Sequence, residues 1–354
     1  MTDVHPDRLH QFVTAVTAGL GSDPLEQQLV ADQLVGANLA GHDSHGVGML
    51  PTYVDGVSHG RLKVNGHVSV ARDDGAIVVL DGNRSFGQVT GFETMEIAIE
   101  RGHEHGLALV GLRDSFHIGR IGHWAEQAAA AGLISMHFVN VAGHHALVAP
   151  HGGREARFAT NPFCVAIPAA DNSPSVLLDM ATSRIALGKA RVANNAGVKV
   201  PNGTVIGTDG ILTDDPGVMF SSPPGALVAM GEHKGSGLAI VCELLGAALL
   251  GGTTLQPKNP GDGSVLNSMT TIVIKPGAVG DPVGLRSEVD SFLTWVRSSE
   301  LAEGSDEVLT PGQPEKRARI ARATGIPIDS GTFGELVAVA TQVGVDGEAL
   351  LAGA

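Results

Sequence analysis

His42, Asp43, Ser44 and His45 sit together in AGHDSHGVGMLP, residues 40–51, held between Gly41 and Gly46 with Gly48 and Pro51 close behind. Histidine titrates near neutrality, so His45 can give a proton to an oxygen that becomes an alcohol and take it back in reverse. Ser44 can hydrogen-bond the same oxygen. Asp43 or Ser44 can also cap a following helix, whose N-terminus would attract a carboxylate and depress a nearby imidazole. The plainer alternative is that these side chains only cap helices, since Ser and Asp at such junctions are routine.

Four further stretches could carry chemistry. In RDSFHIGRIGHWAEQAA (113–129), an apolar strand ends and Asp114, Ser115 and His117 are expected in the strand-to-helix turn, where α/β layers gather ligands. In APHGGREARFATNPFCVAIP (149–168), Arg154 and Arg157 can hold an anion, or are surface charges. In LLDMATSRIALGKARVA (177–193), Asp179 ends a strand and Thr182–Ser183 are expected to cap the helix of Lys189. In GEHKGSGLAIVCELLGAALLGG (231–252), His233 and Lys234 open a long apolar helix, a place suited to phosphate. The 15 histidines also raise metal binding through His42, His45 and His117, a lyase or hydrolase. No H-E-x-x-H or C-x-x-C spacing supports it, so no metal is expected.

The elements that must position these groups show in the periodicity. Leu9, Phe12, Val13, Val16 and Leu20 predict a first helix ending at Gly21. Asp23, Pro24 and Glu26 form a capping-box start for a second, running to about Ala40, and Leu50, Tyr53, Val54 and Val57 predict a short third. From about residue 75, short apolar runs (AIVVL, LALVGL, LISMHFV, FCVAIP, VLLDM, ALVAM, TTIVI) alternate with helical patterns at 91–104, 120–131, 184–194 and 235–250. Helix returns after 285, with a last one near 333–344. The expectation is a mostly helical module from 1–74 and 285–354 around an α/β domain at 75–284. No strand is followed by G-x-G-x-x-G, so a nucleotide would have to bind without the usual fingerprint.

Bulk properties narrow the class. The 354 residues carry 23 Lys and Arg against 37 acidic residues, a formal charge of −14, which argues against a nucleic-acid partner. Cys164 and Cys242 lie in apolar runs and the start, MTDVHPDRLH, is not a signal peptide, so buried thiols of a cytoplasmic protein are expected. The apolar stretch Gly237 to Gly252 carries Glu243 and reads as a buried helix, not a membrane span.

GHDSHGVGMLPTYV, DSFHIGRIGHWAEQAA, APHGGREARFATNPFCVAIP, LLDMATSRIALGKARVA, GEHKGSGLAIVCELLGAALLGG and LNSMTTIVI follow one another in the order of the malate/L-lactate dehydrogenase family, which this chain resembles over roughly 25 to 330. The resemblance implies an NAD(P)-dependent oxidoreductase on a non-Rossmann mixed-sheet α/β fold, a homodimer with the cofactor near the interface, acting on a small 2-hydroxy or 2-oxo acid. By that resemblance His45 is the proton donor and acceptor, Ser44 assists it, and His117 is a second active-site histidine. Gly119, Arg120 and Ile121 would border the nicotinamide, Leu178, Asp179, Met180, His233 and Lys234 would line the cofactor, and Asn267 with Pro311–Gly312–Gln313 would reach its far end. NAD is expected, with NADP as the alternative. Many members carry arginine where this chain has Met49, so Arg120, or backbone at a helix end, would hold the substrate carboxylate. Ala159, Asp114 and Gln313 are further departures. Reduction of a cyclic imino acid or a ureido acid is the second reading on the same scaffold.

Overall fold

The computed structural model describes residues 2–169, 173–195 and 197–352. A seven-stranded sheet runs in the order Ser69–Asp74, Ile77–Asp81, Leu107–Phe116, Leu266–Ile274, Ile134–Ala142, Phe163–Pro168, Pro174–Met180. Only Ile77–Asp81 and Leu107–Phe116 run parallel; the other neighbours are antiparallel. The sheet is therefore mixed, the fold class α/β. Every apolar run named above overlaps a strand, while Ser69–Asp74, within the segment expected to be helical, joins the sheet as its edge.

Both faces of the sheet are covered. Val110 and Leu112 cluster with Met95, Ala98 and Trp124 from helices Gly87–His105 and Ile121–Ala130. Gly111, between them, points the other way and abuts Leu250. Helix His233–Gly246 lies on that second face, where a Cβ at Gly246 would press on the backbone of Phe138–Asn140. It is not the fully buried helix expected: Gly235, Ser236, Ala239, Cys242 and Gly246 face inward, but Ile240, Val241 and Leu244 stand exposed. By length and composition alone the stretch His233–Leu250 could cross a membrane, a test that a helix packed on a core also passes.

The chain's two ends meet. Thr2–Val4 pairs with Ile326–Ile328, and Leu9, Phe12, Leu34, Tyr53, Leu336 and Leu351 share one hydrophobic cluster. A smaller four-stranded sheet, Leu212–Thr213, Val205–Ile206, Ala226–Val228 and Val148–Ala149, packs with helix Leu187–Asn195 as a third body. Helix Pro282–Arg297 projects, burying only Leu293.

Local expectations met mixed outcomes. Helices Pro6–Gly19, Pro24–Leu39 and Leu50–Ser58 form as read. Asp23 caps its helix through the Glu26 N–H, but Glu26 does not return the bond; its carboxylate takes Ser22 Oγ and the Asn65 N–H instead. Neither Asp43 nor Ser44 caps helix Leu50–Ser58, and Thr182 and Ser183 bond to backbone carbonyls rather than cap a helix. Strand Leu107–Phe116 absorbs Asp114 and Ser115, which were expected in the turn.

Candidate active site

The loop carrying His45 is built around one buried asparagine. Gly41, at φ +83°, stops helix Pro24–Leu39, and the chain folds back over Asn38. Asn38 Oδ1 accepts from the Val47 N–H and its Nδ2 donates to Asp43. A Cβ at Gly46 would overlap the Asn38 amide, which is the local reason for glycine there. Asp43 is held from outside by Arg322, which donates from both terminal nitrogens at 2.7 and 3.0 Å. Ser44 is exposed and lies against Gly188.

His117 reaches the site through a bulge. Between Leu112 and Ser115 one strand carries two residues opposite Ser268 alone, with Asp114 at φ +49°. Its carboxylate takes the Thr253 N–H. The extra residue shifts the alternation, so Ser115 and Phe116 turn inward and His117 follows them into the interior, 5 % exposed.

The two imidazoles meet edge to edge. His45 Nδ1 and His117 Nε2 are 3.0 Å apart with ring planes within 5°. The ring centres are 5.2 Å apart, what that contact plus the distance from each nitrogen to its ring centre requires. The pair is a coplanar N–H···N bond, not a face-to-face stack. Burial, with His42 and Arg120 nearby, pushes His45 down to about 4, although its outer edge stays partly open. Burial and then His45 hold His117 well below its ordinary value. Both are neutral at pH 7.

Arg120 is buried between two carboxylates. Its Nη2 bonds Glu126 at 2.5 Å and its Nη1 lies 3.7 Å from Asp179, while Nε and Nη1 have no hydrogen-bond partner. Glu126 is also held by Arg319, and Asp179 takes the Gly122 N–H at 2.8 Å. Burial raises the Asp179 carboxyl despite Arg120. His42 bonds Glu315 at 3.1 Å, leaving Glu315 Oε2 buried and unpartnered. Burial works against that carboxylate, but the His42 bond and the Arg120 charge keep it below its usual range. Two unpartnered nitrogens of Arg120 and one unpartnered carboxylate oxygen of Glu315 thus belong to one charge-coupled cluster with His45.

The remaining expected residues divide. Gly119, at φ +72°, and Ile121 flank Arg120 at the start of helix Ile121–Ala130. Leu178, Asp179 and Met180 end the edge strand, and the Pro311 carbonyl accepts from Leu177 on the same strand. Gly312 packs on Leu177, and Gln313 caps its own turn by accepting the Thr310 N–H. His233 and Lys234 are exposed at the start of their helix, reached from Thr182 through the Met230 N–H. Two of the expected residues have partners within the fold. Met49 packs on the helical core. Asn267 is buried with its amide engaged by backbone, accepting from Ile118 and donating to Asn140, so it braces the His117 turn. Arg154 and Arg157 are surface residues. Among the described residues, no three His, Cys, Asp or Glu side chains converge to hold a metal ion.

Sequence reasoning missed Tyr53, Gln88, Gln33, Glu126 and Glu315. A signal existed for three of them: Tyr53 is the chain's single tyrosine, and Gln33 and Gln88 are polar residues on otherwise buried helix faces.

Comparison with known proteins agrees with this architecture. The chain is 48% identical over 347 residues to hydroxycarboxylate dehydrogenase B of Escherichia coli (strain K12), covering 97% of this chain and 95% of that one. It is 39% identical over 319 residues to an L-lactate dehydrogenase of Cupriavidus necator, covering 89% and 90%. The solved sulfolactate dehydrogenase of Methanocaldococcus jannaschii superposes with a TM-score of 0.87 at 29% identity, over 98% of this chain and 99% of that one. Residues 4–337 match the family model described as malate/L-lactate dehydrogenase. The chain belongs to the malate/L-lactate dehydrogenase family and is an oxidoreductase.

Proposed function

We propose that this oxidoreductase interconverts a small 2-oxo acid and its 2-hydroxy acid, with His45 exchanging the proton and NAD(H) as the coenzyme. The observation that carries the reading is the coplanar, hydrogen-bonded His45–His117 pair beside the unpartnered nitrogens of buried Arg120. When bound, the nicotinamide supplies or takes the hydride at C2. The residues present fit such a cofactor. Arg120 and Glu315 keep unsatisfied polar atoms beside the Gly119–Ile121 turn, and exposed His233 and Lys234 crown a helix start suited to phosphate.

In this reading Arg120 turns its free N–H groups to the substrate carboxylate, which sets C2 and its oxygen against His45. His45 Nδ1 is occupied by His117, so Nε2 faces the substrate oxygen. As charge gathers on that oxygen, the proton affinity of the neighbouring imidazole rises. His45 hands its Nε2 proton to that oxygen, completing the alcohol, and one proton from solvent restores the pair. Ser44 adds a second hydrogen bond. Oxidation of the hydroxy acid runs the same steps backward.

Two companions of this reading concern the whole protein. The exposed Ile240, Val241 and Leu244 lie on the helix that begins at His233 and Leu249 follows it, and we assign this face to a second copy of the chain, with the cofactor end beside the dimer interface. Cys164 and Cys242 are free and buried, in keeping with a cytoplasmic protein.

The test is NADH consumption with hydroxypyruvate, pyruvate, phenylpyruvate and oxaloacetate, repeated with NADPH and with H45Q. The expected result is NADH-dependent turnover of at least one oxo acid, with kcat reduced roughly a hundredfold or more in folded H45Q. Wild-type turnover in that variant would remove His45 from its role.

A further inference from the structure

His45 and His117 belong to a longer buried chain of hydrogen bonds whose direction can be read from one end. Ile118 O is an acceptor and nothing else. Gln33 lies 2.7 Å from it, so the atom facing it must be Nε2, and Gln33 Oε1 faces the other way. Gln88 approaches that oxygen at 3.2 Å, which requires the Gln88 amide nitrogen there. The same nitrogen lies 2.7 Å from Tyr53 Oη, so Tyr53 accepts from Gln88 and has its own proton free to donate. The remaining neighbour is His117 Nδ1, 2.7 Å away. His117 Nδ1 is therefore an acceptor and its proton sits on Nε2. It donates to His45 Nδ1, and the His45 proton is left on Nε2.

Turning the Gln88 amide end for end would set two carbonyl oxygens at 3.2 Å and strip both of its donated bonds. The orientation kept leaves only Gln88 Oε1 without a partner. Gln33, Gln88 and Tyr53 are each about 1 % exposed or less, so water does not compete at these bonds. The Ile118 peptide is itself pinned: its carbonyl also takes the Trp124 indole N–H at 3.0 Å, and its N–H goes to Asn267. Gly119 completes the arrangement, because a Cβ there would overlap the Gln33 amide.

We infer that Gln33, Gln88 and Tyr53 are positioning residues that fix the tautomers of both histidines, leaving His45 Nε2–H as a donor aimed at the substrate. A carbonyl oxygen or an imine nitrogen can accept that bond. A hydroxyl that needs to donate meets an occupied nitrogen, so the resting enzyme is set for the unsaturated partner, the 2-oxo acid. The catalytic meaning rests on the proposed role of His45; the tautomer assignment does not.

The experiment is nitrogen-15 NMR on the intact enzyme labelled at histidine, at neutral pH without substrate, with H45Q and H117Q used to assign the two rings. The expected spectrum shows an unprotonated Nδ1 and a protonated Nε2 for both residues. In Y53F, whose ring keeps its edge contacts with Phe86 and Phe116, both rings are expected to become tautomer mixtures, and kcat for reduction to fall about tenfold. Q88M is expected to loosen the tautomers in the same way and serves if Y53F does not fold. A wild-type His45 carrying its proton on Nδ1, or as a mixture, overturns the inference, as do unchanged populations in the folded variant. Correct tautomers together with a fully active H45Q would keep the relay and discard the proposed function. The reverse result would keep the function and discard the relay.

Discussion

At the scale of residues, the site combines two kinds of unfinished business: a neutral imidazole with one nitrogen engaged, and a buried guanidinium with donors left over. The Arg120 donors give a discriminating prediction. Lysine cannot reproduce a planar two-pronged grip, so R120K is expected to raise KM for a 2-oxo acid at least tenfold. The same change should cost far less for a ketone lacking the carboxylate, and steady-state kinetics on the two compounds would show the difference. An equal loss on both would mean that Arg120 acts only through Glu126 and Asp179. His45, Ser44, His117 and Arg120 could be singled out from motif and chemistry. Tyr53, Gln88 and Gln33 could not be given roles, because tautomer control depends on contacts across 35 to 85 positions of sequence. Nothing in local spacing reports such contacts. Glu315 likewise answers His42 from 273 positions away.

Elements explain why those residues converge. Helix Pro24–Leu39 supplies Gln33 and Asn38, the loop after it supplies His45, and the bulged strand Leu107–Phe116 delivers His117. The helix-strand alternation was legible because apolar period and turn residues are local. The bulge was not, since it exists only relative to the partner strand Leu266–Ile274, and it moved Asp114 and Ser115 out of the expected turn. The capping box failed similarly: Glu26 was recruited by Asn65, 39 positions on. Gly119 links element to site. G119A combines a positive φ with overlap against Gln33, and is expected to cost about 1–3 kcal/mol in urea unfolding while also lowering kcat. A variant as stable and as active as the parent would remove Gly119 from the support of the site.

For the molecule as a whole, buried histidines couple stability to pH. His45 and His123 are held near 4 and His137 near 3, chiefly by burial, against about 6.5 in an unfolded chain. Depressed folded values mean that the unfolded state binds more protons below 6.5. Stability is thus fully present above that pH and is lost as pH falls toward 4, by roughly 1.4 kcal/mol per pH unit for each such histidine. Thermal melts between pH 7.5 and 4.5 should show a steep drop in Tm, shallower in H137Q; a flat profile would contradict it. Assembly is tested by light scattering: about twice 36.3 kDa for the parent, and the single-chain mass for L244R. A parent that stays at the single-chain mass would leave the open apolar face without its assigned partner. The exposed side of helix His233–Gly246 was hidden from sequence, where an apolar run looks alike whether it faces a core or a second chain. All of these scales meet at one imidazole, so the most direct measurement is a crystal structure of the enzyme with NADH and oxamate. The account predicts His45 Nε2 at about 3 Å from the oxamate carbonyl oxygen, with the carboxylate on Arg120. An oxamate carbonyl held by other groups, with His45 turned away from it, would contradict the account.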